Sequence, residues 1–328
     1  MILLYLLFGL ALIFSFFNGF HDSSNIVATI ISSRALPPRW ALYLTAIAEF
    51  AGAVVFGMGI AAVARTIGTD LIPASAIGID TLIAALGGAI AWSIITWLFG
   101  IPSSSSHALI GGLLGSAWVQ SGLGVIEIAG LIKILLVLFL SPLIGIGVGF
   151  LFTKLVFFLS RNSSMRINDF FKRIQIFTGM ALAFSHGAND PQKTMGIIAL
   201  GLLTAGVVKT FELPVFVVLA VAASCAAGTA TGGWRLIRTI GAKFYRIRPV
   251  HGFCAQVSSA LVIFGAAIIG GPVSTTQVIS SAVLGAGSAQ RVNMVRWGVA
   301  GQMLVAWLLT IPVTGLISAG ILFLMKKV

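Results

Sequence analysis

Charge is what this sequence has least of. Only 9% of its 328 residues are Asp, Glu, Lys or Arg, against roughly 25% in an ordinary soluble domain. No long polar stretch separates the apolar ones, so no sizeable water-exposed domain is expected. Acidic side chains are the scarcest: eight Asp and Glu stand against 20 Lys and Arg, a formal net charge of +12. The basic residues sit in short loops between apolar runs. That is the pattern of topology signals and lipid-headgroup contacts, and it argues against a nucleic-acid partner. There are two cysteines, Cys225 and Cys254, both inside apolar runs and far from any metal-ligand spacing; they read as small buried hydrophobes. His21, His107, His186 and His251 do not make a metal set either, and each reads as a local hydrogen-bonding residue. The first apolar run begins at Ile2 with no basic segment before it and no small-residue cleavage site after it, so no removable signal peptide is expected.

What fills the chain instead is hydrocarbon. Hydrophobic residues make up 58%, and the mean hydropathy is +1.08. Ten apolar units follow one another: 1–33, 40–64, 79–99, 103–120 and 128–158, then 174–208, 213–230, 251–270, 273–290 and 297–324. A membrane span needs about 20 residues. The first and sixth units are too long for one straight span and carry polar, Gly-containing sequence at 18–25 and 185–193. These two positions are expected to be breaks or re-entrant turns, and irregular backbone at membrane depth must face protein or water.

The loops fix a direction. Basic residues gather at Arg34 and Arg39, at Arg161 to Arg173, at Arg235 to Arg248, and at Arg291 and Arg296, whereas Asp70, Asp80, Glu127 and Glu212 lie in the alternate loops. With the basic loops inside, every crossing alternates and both termini lie outside; Lys326 and Lys327 mildly violate the rule. Five crossings per half would invert the second half relative to the first. The motifs repeat accordingly. Gly19-Phe20-His21-Asp22 matches Gly187-Ala188-Asn189-Asp190, Gly100 to His107 matches Gly270 to Gln277, and Gly115 matches Gly285. The expected architecture is an all-α polytopic membrane protein of two inverted five-helix repeats with broken or re-entrant helices, about 10–12 membrane segments in all, as in secondary transporters. Its boundaries are 1–159 for the first repeat, 160–173 for a short cytoplasmic linker and 174–328 for the second repeat.

The chemistry-bearing residues lie at the matched positions. Asp22 and Asp190 are carboxylates at membrane depth, where an unpaired charge costs several kcal/mol. They read as cation or proton sites, with helix capping as the plain alternative. Ser103, Ser104, Ser105 and Ser106 follow Pro102, and Ser274, Thr275 and Thr276 follow Pro272. Proline suits the first turn of a helix, so each hydroxyl run is expected at a helix start, where free N–H groups and the positive dipole end attract an anion. Back-bonding to the helix or close helix contact would be the plain reading. Lys193 is placed to pair with Asp190 or touch an anion, or else to snorkel to the interface. Asn25, its counterpart, could coordinate a cation or the substrate, and Asn189 adjoins Asp190. Glu49 is a mid-span ionisable residue, Gln256 a mid-span amide of lower weight, and His21 or His107 could assist proton coupling. Trp92, Trp97, Trp118, Trp297 and Trp307 fit interface or core roles.

These motifs resemble the PiT family of inorganic phosphate transporters over nearly the whole chain. The likeness rests on Asn18-Gly-Phe-His-Asp-Ser-Ser-Asn25, Gly100-Ile-Pro-Ser-Ser-Ser-Ser-His107, Phe184-Ser-His-Gly-Ala-Asn-Asp-Pro-Gln-Lys-Thr194 and Gly271-Pro-Val-Ser-Thr-Thr-Gln277, with Gly233-Trp234-Arg235 and Thr239-Ile240-Gly241 in a loop. The resemblance implies symport of phosphate with H⁺ or Na⁺ across the cell membrane by a homodimer, no cofactor, and an anion site between the two hydroxyl segments beside cation sites that include Asp22 and Asp190. Three residues depart from it: Gln277 where the family usually has His, Lys193 where many members have Asn, and Gln256 where many have Glu.

A sulfate permease of the same fold is the nearest rival, since the family also contains members that move sulfate. Phosphate keeps a proton at neutral pH and can donate a hydrogen bond to a carboxylate, as sulfate cannot, which favours phosphate beside Asp22 and Asp190. An intramembrane hydrolase fits less well, because His107 is matched by Gln277 and the serine clusters are mirrored. A channel would need no coupling carboxylates.

Overall fold

The computed structural model describes residues 1–164, 166–233 and 247–327. Among them are twelve α-helices and no strand: α1 (Ile2–Ser32), α2 (Pro38–Gly59), α3 (Ala62–Thr69), α4 (Ile79–Phe99), α5 (Ser105–Ser121), α6 (Ile128–Leu159), α7 (Ile167–Gly187), α8 (Asp190–Thr204), α9 (Val215–Thr231), α10 (Pro249–Ile268), α11 (Thr275–Gln290) and α12 (Trp297–Met325). Six of these, α1, α2, α4, α6, α10 and α12, are long and apolar enough to cross a membrane. The outward faces of α6 and α12 carry Leu136, Leu143, Leu151, Leu308, Leu316 and Phe323, all exposed, as lipid-facing surfaces should. α5 and α11 hold only 17 and 16 residues, about 25 Å at 1.5 Å per residue. The loop carrying Trp234, Arg235, Arg238, Thr239 to Gly241, Lys243 and Arg246 lies outside the described residues.

The break expected at 18–25 is not there. α1 runs unbroken from Ile2 to Ser32. Within it the Ser23 and Ser24 hydroxyls donate to Phe20 O and His21 O at 2.8 and 2.7 Å, so they back-bond to their own helix. The break expected at 185–193 is present, confined to Ala188 and Asn189 between α7 and α8. One residue accounts for the difference. Pro191 occupies the place that Ser23 holds in the first half, and proline can neither donate to Gly187 O nor fit inside a continuous helix. The unit at 40–64 was expected to be continuous and instead breaks at Ile60–Ala61. Ala61 is left-handed at φ 46°, and α3 starts just after it. The Gln192 side chain of α8 caps that start: its Oε1 accepts from Val63 N and Ala64 N at 3.1 and 3.3 Å.

The hydroxyl runs do start helices, although the prolines are not in the first turn. Pro102 and Pro272 stand three residues before α5 and α11, outside the helices, and Ser104 and Ser274, in extended backbone, are the N-caps, accepting from His107 N and Gln277 N at 3.1 and 3.4 Å.

Helices of one half rest on helices of the other. α1 contacts α9, and α2 contacts α7; α5 contacts α12, and α6 contacts α11. Glycine permits the central crossings. A Cβ at Gly19 would lie 2.0 Å from Cys225 O on α9, and one at Gly187 2.0 Å from Glu49 O on α2; Gly228 and Gly52 meet Phe16 O and Phe184 O in return. Backbones this close bring the mid-helix polar residues of α1, α2, α7 and α9 together.

Candidate functional site

The centre of the molecule is a buried polar cluster where α1, α2, α8 and the starts of α5 and α11 meet at the α7–α8 break. Asp22 and Asp190, far apart in sequence, face each other there. Thr275 donates from one hydroxyl towards both, at 3.2 Å to Asp22 Oδ2 and 2.8 Å to Asp190 Oδ2. Thr276 donates to Asp22 Oδ1, and Asn25 donates to that oxygen at 2.7 Å and to Thr276 Oγ1 at 3.0 Å. Lys193 is 2% exposed, so it does not snorkel. Its ammonium donates to Asp190 Oδ1, to Ser106 Oγ and, at 2.9 Å, to Val273 O. Ser106 Oγ in turn donates to Val273 O at 2.9 Å, which ties the start of α5 to the segment leading into α11.

His186 is the hub. Its Nε2 lies 3.3 Å from Asp22 Oδ2 and 3.2 Å from Asp190 Oδ2, and its Nδ1 lies 2.7 Å from Glu49 Oε1. Glu49 is otherwise held by Cys225, whose thiol is 3.1 Å from Oε1, and by the Thr229 hydroxyl on Oε2. The sequence reading missed all three of these partners. The available signal for His186 was its place four residues before Asp190, on the same helical face across the break; for Cys225 and Thr229 an apolar run gave none.

The remaining expected residues fall around this centre. Asn189 donates to Gly271 O at 3.0 Å. Ser103 pairs with Thr96 at 2.9 Å. Ser105 is only half-buried, unlike its neighbours. Ser104 contacts His107 Nδ1 at 2.7 Å, and Gln277 approaches the same nitrogen at 3.5 Å. His21 stacks edge-on against Phe17. Gln256 lies elsewhere, bonded to Thr29 and Thr178 at 2.9 and 2.5 Å.

A crevice too tight to hold a water molecule lies beside the cluster, lined by His21, Asp22, Ser24, Asn25, Pro102, Ser103 and Thr276. Among the described residues, Asn18 Oδ1, Asn25 Oδ1 and Asn189 Oδ1 are buried acceptors without a partner. Oxygen acceptors left open beside carboxylates suit a hard cation. Asp22, His186 and Asp190 each offer a ligand atom within 4.8 Å of the others. The arrangement therefore combines two helix starts, which favour an anion, with carboxylates that require positive charge.

Residues 18–318 match the Phosphate transporter family. The chain belongs to this family. It is 42% identical over 322 residues to a "Probable low-affinity inorganic phosphate transporter" of Bacillus subtilis (strain 168), covering 97% of this chain and 96% of the relative. A protein of the same description in Rhizobium meliloti (strain 1021) is 43% identical over 95% of this chain and 93% of its own length. A solved structure described as "The sodium-dependent phosphate transporter" superposes over 100% of both chains with a TM-score of 0.89 at 26% identity. This member of the phosphate transporter family is a multi-pass cell-membrane protein and a transporter rather than an enzyme. The whole central cluster falls inside the matched residues.

Proposed function

We propose that this protein carries inorganic phosphate across the membrane in symport with H⁺ or Na⁺. The single observation that carries the reading is the meeting of the α5 and α11 starts beside Asp22 and Asp190. Ser106 and Thr276 stand at these two helix starts, each bonded to a residue of the carboxylate cluster. In this reading Ser103 to Ser106 and Ser274 to Thr276, with Asn25 and Lys193 at their side, bind the anion through N–H groups and hydroxyls. Asp22, Asp190, Asn189, Glu49 and His21 serve the coupling cation. Phosphate fits better than sulfate because a protonated phosphate oxygen can donate to a carboxylate. The relatives described as phosphate transporters support the substrate, and the solved relative described as sodium-dependent is compatible with either a Na⁺-driven or a proton-driven cycle here.

We read the chain as two inverted repeats, 1–159 and 174–328. The reciprocal crossings at Gly19 and Gly187, and at Gly228 and Gly52, support this: each occurs once per half in the same relation.

Radiolabelled phosphate and sulfate uptake into proteoliposomes, with Na⁺ and pH gradients imposed separately, tests the proposal. Phosphate should accumulate under one gradient. Accumulation of sulfate in preference, or phosphate flux that no gradient can drive uphill, would overturn it.

A further inference from the structure

Asp190 and Lys193 stand 168 residues after Asp22 and Asn25, and the two pairs make the same contacts. Asn25 donates to the carboxylate three residues before it, Asp22, and to Thr276 at the start of α11. Lys193 donates to the carboxylate three residues before it, Asp190, and to Ser106 at the start of α5. The one chemical difference is charge: an amide in the first half, an ammonium in the second. Lys193 also gains Val273 O as a third acceptor, so all three of its N–H donors are used. A fully bonded, fully buried ammonium does not leave its carboxylate readily, because separating a buried pair strands both charges.

The charges of the cluster can then be counted. Asp22, Asp190 and Glu49 bring three negative charges. Lys193 brings one positive charge, and His186, which touches all three carboxylates, brings at most one more. His21 and His107, at the edge of the cluster, are counted neutral; His107 has the neutral partners Ser104 and Gln277. Among the described residues the set is short of one positive charge, and the shortage falls on Asp22, whose other partners there are Asn25, Thr275 and Thr276. The carbonyl oxygens of Asn18 and Asn25, which find no partner among the described residues, lie on the same helix as Asp22.

We infer that the Lys193 ammonium is a built-in cation that permanently fills the second-half site, so that each cycle takes up one exchangeable monovalent cation, at Asp22. Lys193 thereby sets the cation-to-phosphate ratio. Removing it while keeping Asp190 would open a second site that a free cation must fill. The inference rests on the symport reading above and deepens it, moving Lys193 from the anion-binding set to the cation site.

The test uses the full chain in proteoliposomes. Initial phosphate uptake is measured while Na⁺ is titrated against choline at fixed pH, then while pH is varied at fixed Na⁺, for the wild type, Lys193→Asn and Lys193→Arg. Comparison at equal pH cancels the titration of phosphate itself. Wild type and Lys193→Arg should be first order in the driving cation and Lys193→Asn second order. Below half-saturation, a tenfold dilution of cation then costs about tenfold in the first two and about a hundredfold in the third, as binding at two sites rather than one requires. The melting temperature of each protein in detergent, without phosphate, provides a readout independent of transport: Lys193→Asn should gain a cation-dependent rise beyond that of the wild type. Second-order behaviour of the wild type, or equal cation dependence of wild type and Lys193→Asn, would overturn the inference. If Lys193→Asn cannot be purified, the wild-type order alone decides. Absence of wild-type phosphate uptake, with the extra cation-dependent melting still present in Lys193→Asn, would sink the phosphate reading and leave the role of Lys193 standing.

Discussion

His186 Nδ1 lies 2.7 Å from Glu49 Oε1, which fastens the end of α7 to the middle of α2 at the same level where the Gly187 backbone touches Glu49 O. Glu49 is fully buried and accepts from Thr229 on its other oxygen. Glu49→Gln places an amide where an acceptor is needed and removes a charge from a buried pair, a change worth about 3–5 kcal/mol. Thr229→Val removes one donor and should cost about 1–3 kcal/mol. Both should melt earlier in detergent, Glu49→Gln by more. Unchanged melting of the pair would mean that Glu49 carries no structural load.

Asp22→Asn and Asp190→Asn should both abolish concentrative phosphate uptake, but they should differ in stability. Asp190→Asn strands the Lys193 ammonium, whereas Asp22→Asn strands no lysine. The expected result is good yield of the first variant and poor yield of the second, with Asp190→Asn recovered when Lys193→Met is added. If Asp190→Asn alone is as stable as wild type, the pair is not the buried ion pair described.

Ser106→Ala and Thr276→Ala should each raise the apparent phosphate constant about tenfold, the value of one charge-assisted hydrogen bond. Their double variant should fall short of the product of the two if both touch one ion. Ser105→Ala, at a half-buried position, should matter less. A full effect at Ser105 with none at Ser106 would shift the anion to the outer side of α5.

At the helix crossings, Gly19→Ala and Gly187→Ala force a methyl into a carbonyl oxygen 2.0 Å away, and overpacking of this kind costs about 1–3 kcal/mol or more. Gly147→Ala, with nothing within 4 Å, should be neutral or slightly stabilising, since alanine favours the helix. Yield of monodisperse protein and melting temperature separate the two classes; equal behaviour would show that the α1–α9 and α2–α7 contacts are loose.

Single cysteines at Ser163 and Asn293, in a background lacking Cys225 and Cys254, should react alike with impermeant thiol reagents from the cytoplasmic side. The basic residues flanking both positions motivate this. Reaction from opposite sides would break the five-plus-five scheme.

How far the sequence could be read depended on where the determinants lie. Membrane class, the paired motifs and the Asn25–Lys193 correspondence are legible because composition and matched spacing carry them. The different fates of the two breaks turn on Ser23 against Pro191, which local chemistry could have separated. The α2–α3 break at Ala61 is held from a distance by Gln192, and no local signal announces it. Likewise Cys225 and Thr229 become polar partners only because Gly19 and Gly228 let α9 approach α1, a tertiary fact hidden inside an apolar run. His186 sat beside the repeated Asp, but its three carboxylate contacts come from α1, α2 and α8 together.

The crossings by which each half rests on the other have a mechanical meaning. α5 is joined to α4 of its own half and to α12 of the other, while α11 is joined to α10 and to α6. Packing therefore joins helices from both ends of the chain into each group, and in the two-repeat reading the connection between α6 and α7 would act as a tether rather than a hinge. A transporter cut within that connection should work when its two pieces are made together in one cell, and neither piece should survive alone, because each would carry glycine-lined grooves whose occupants were left on the other.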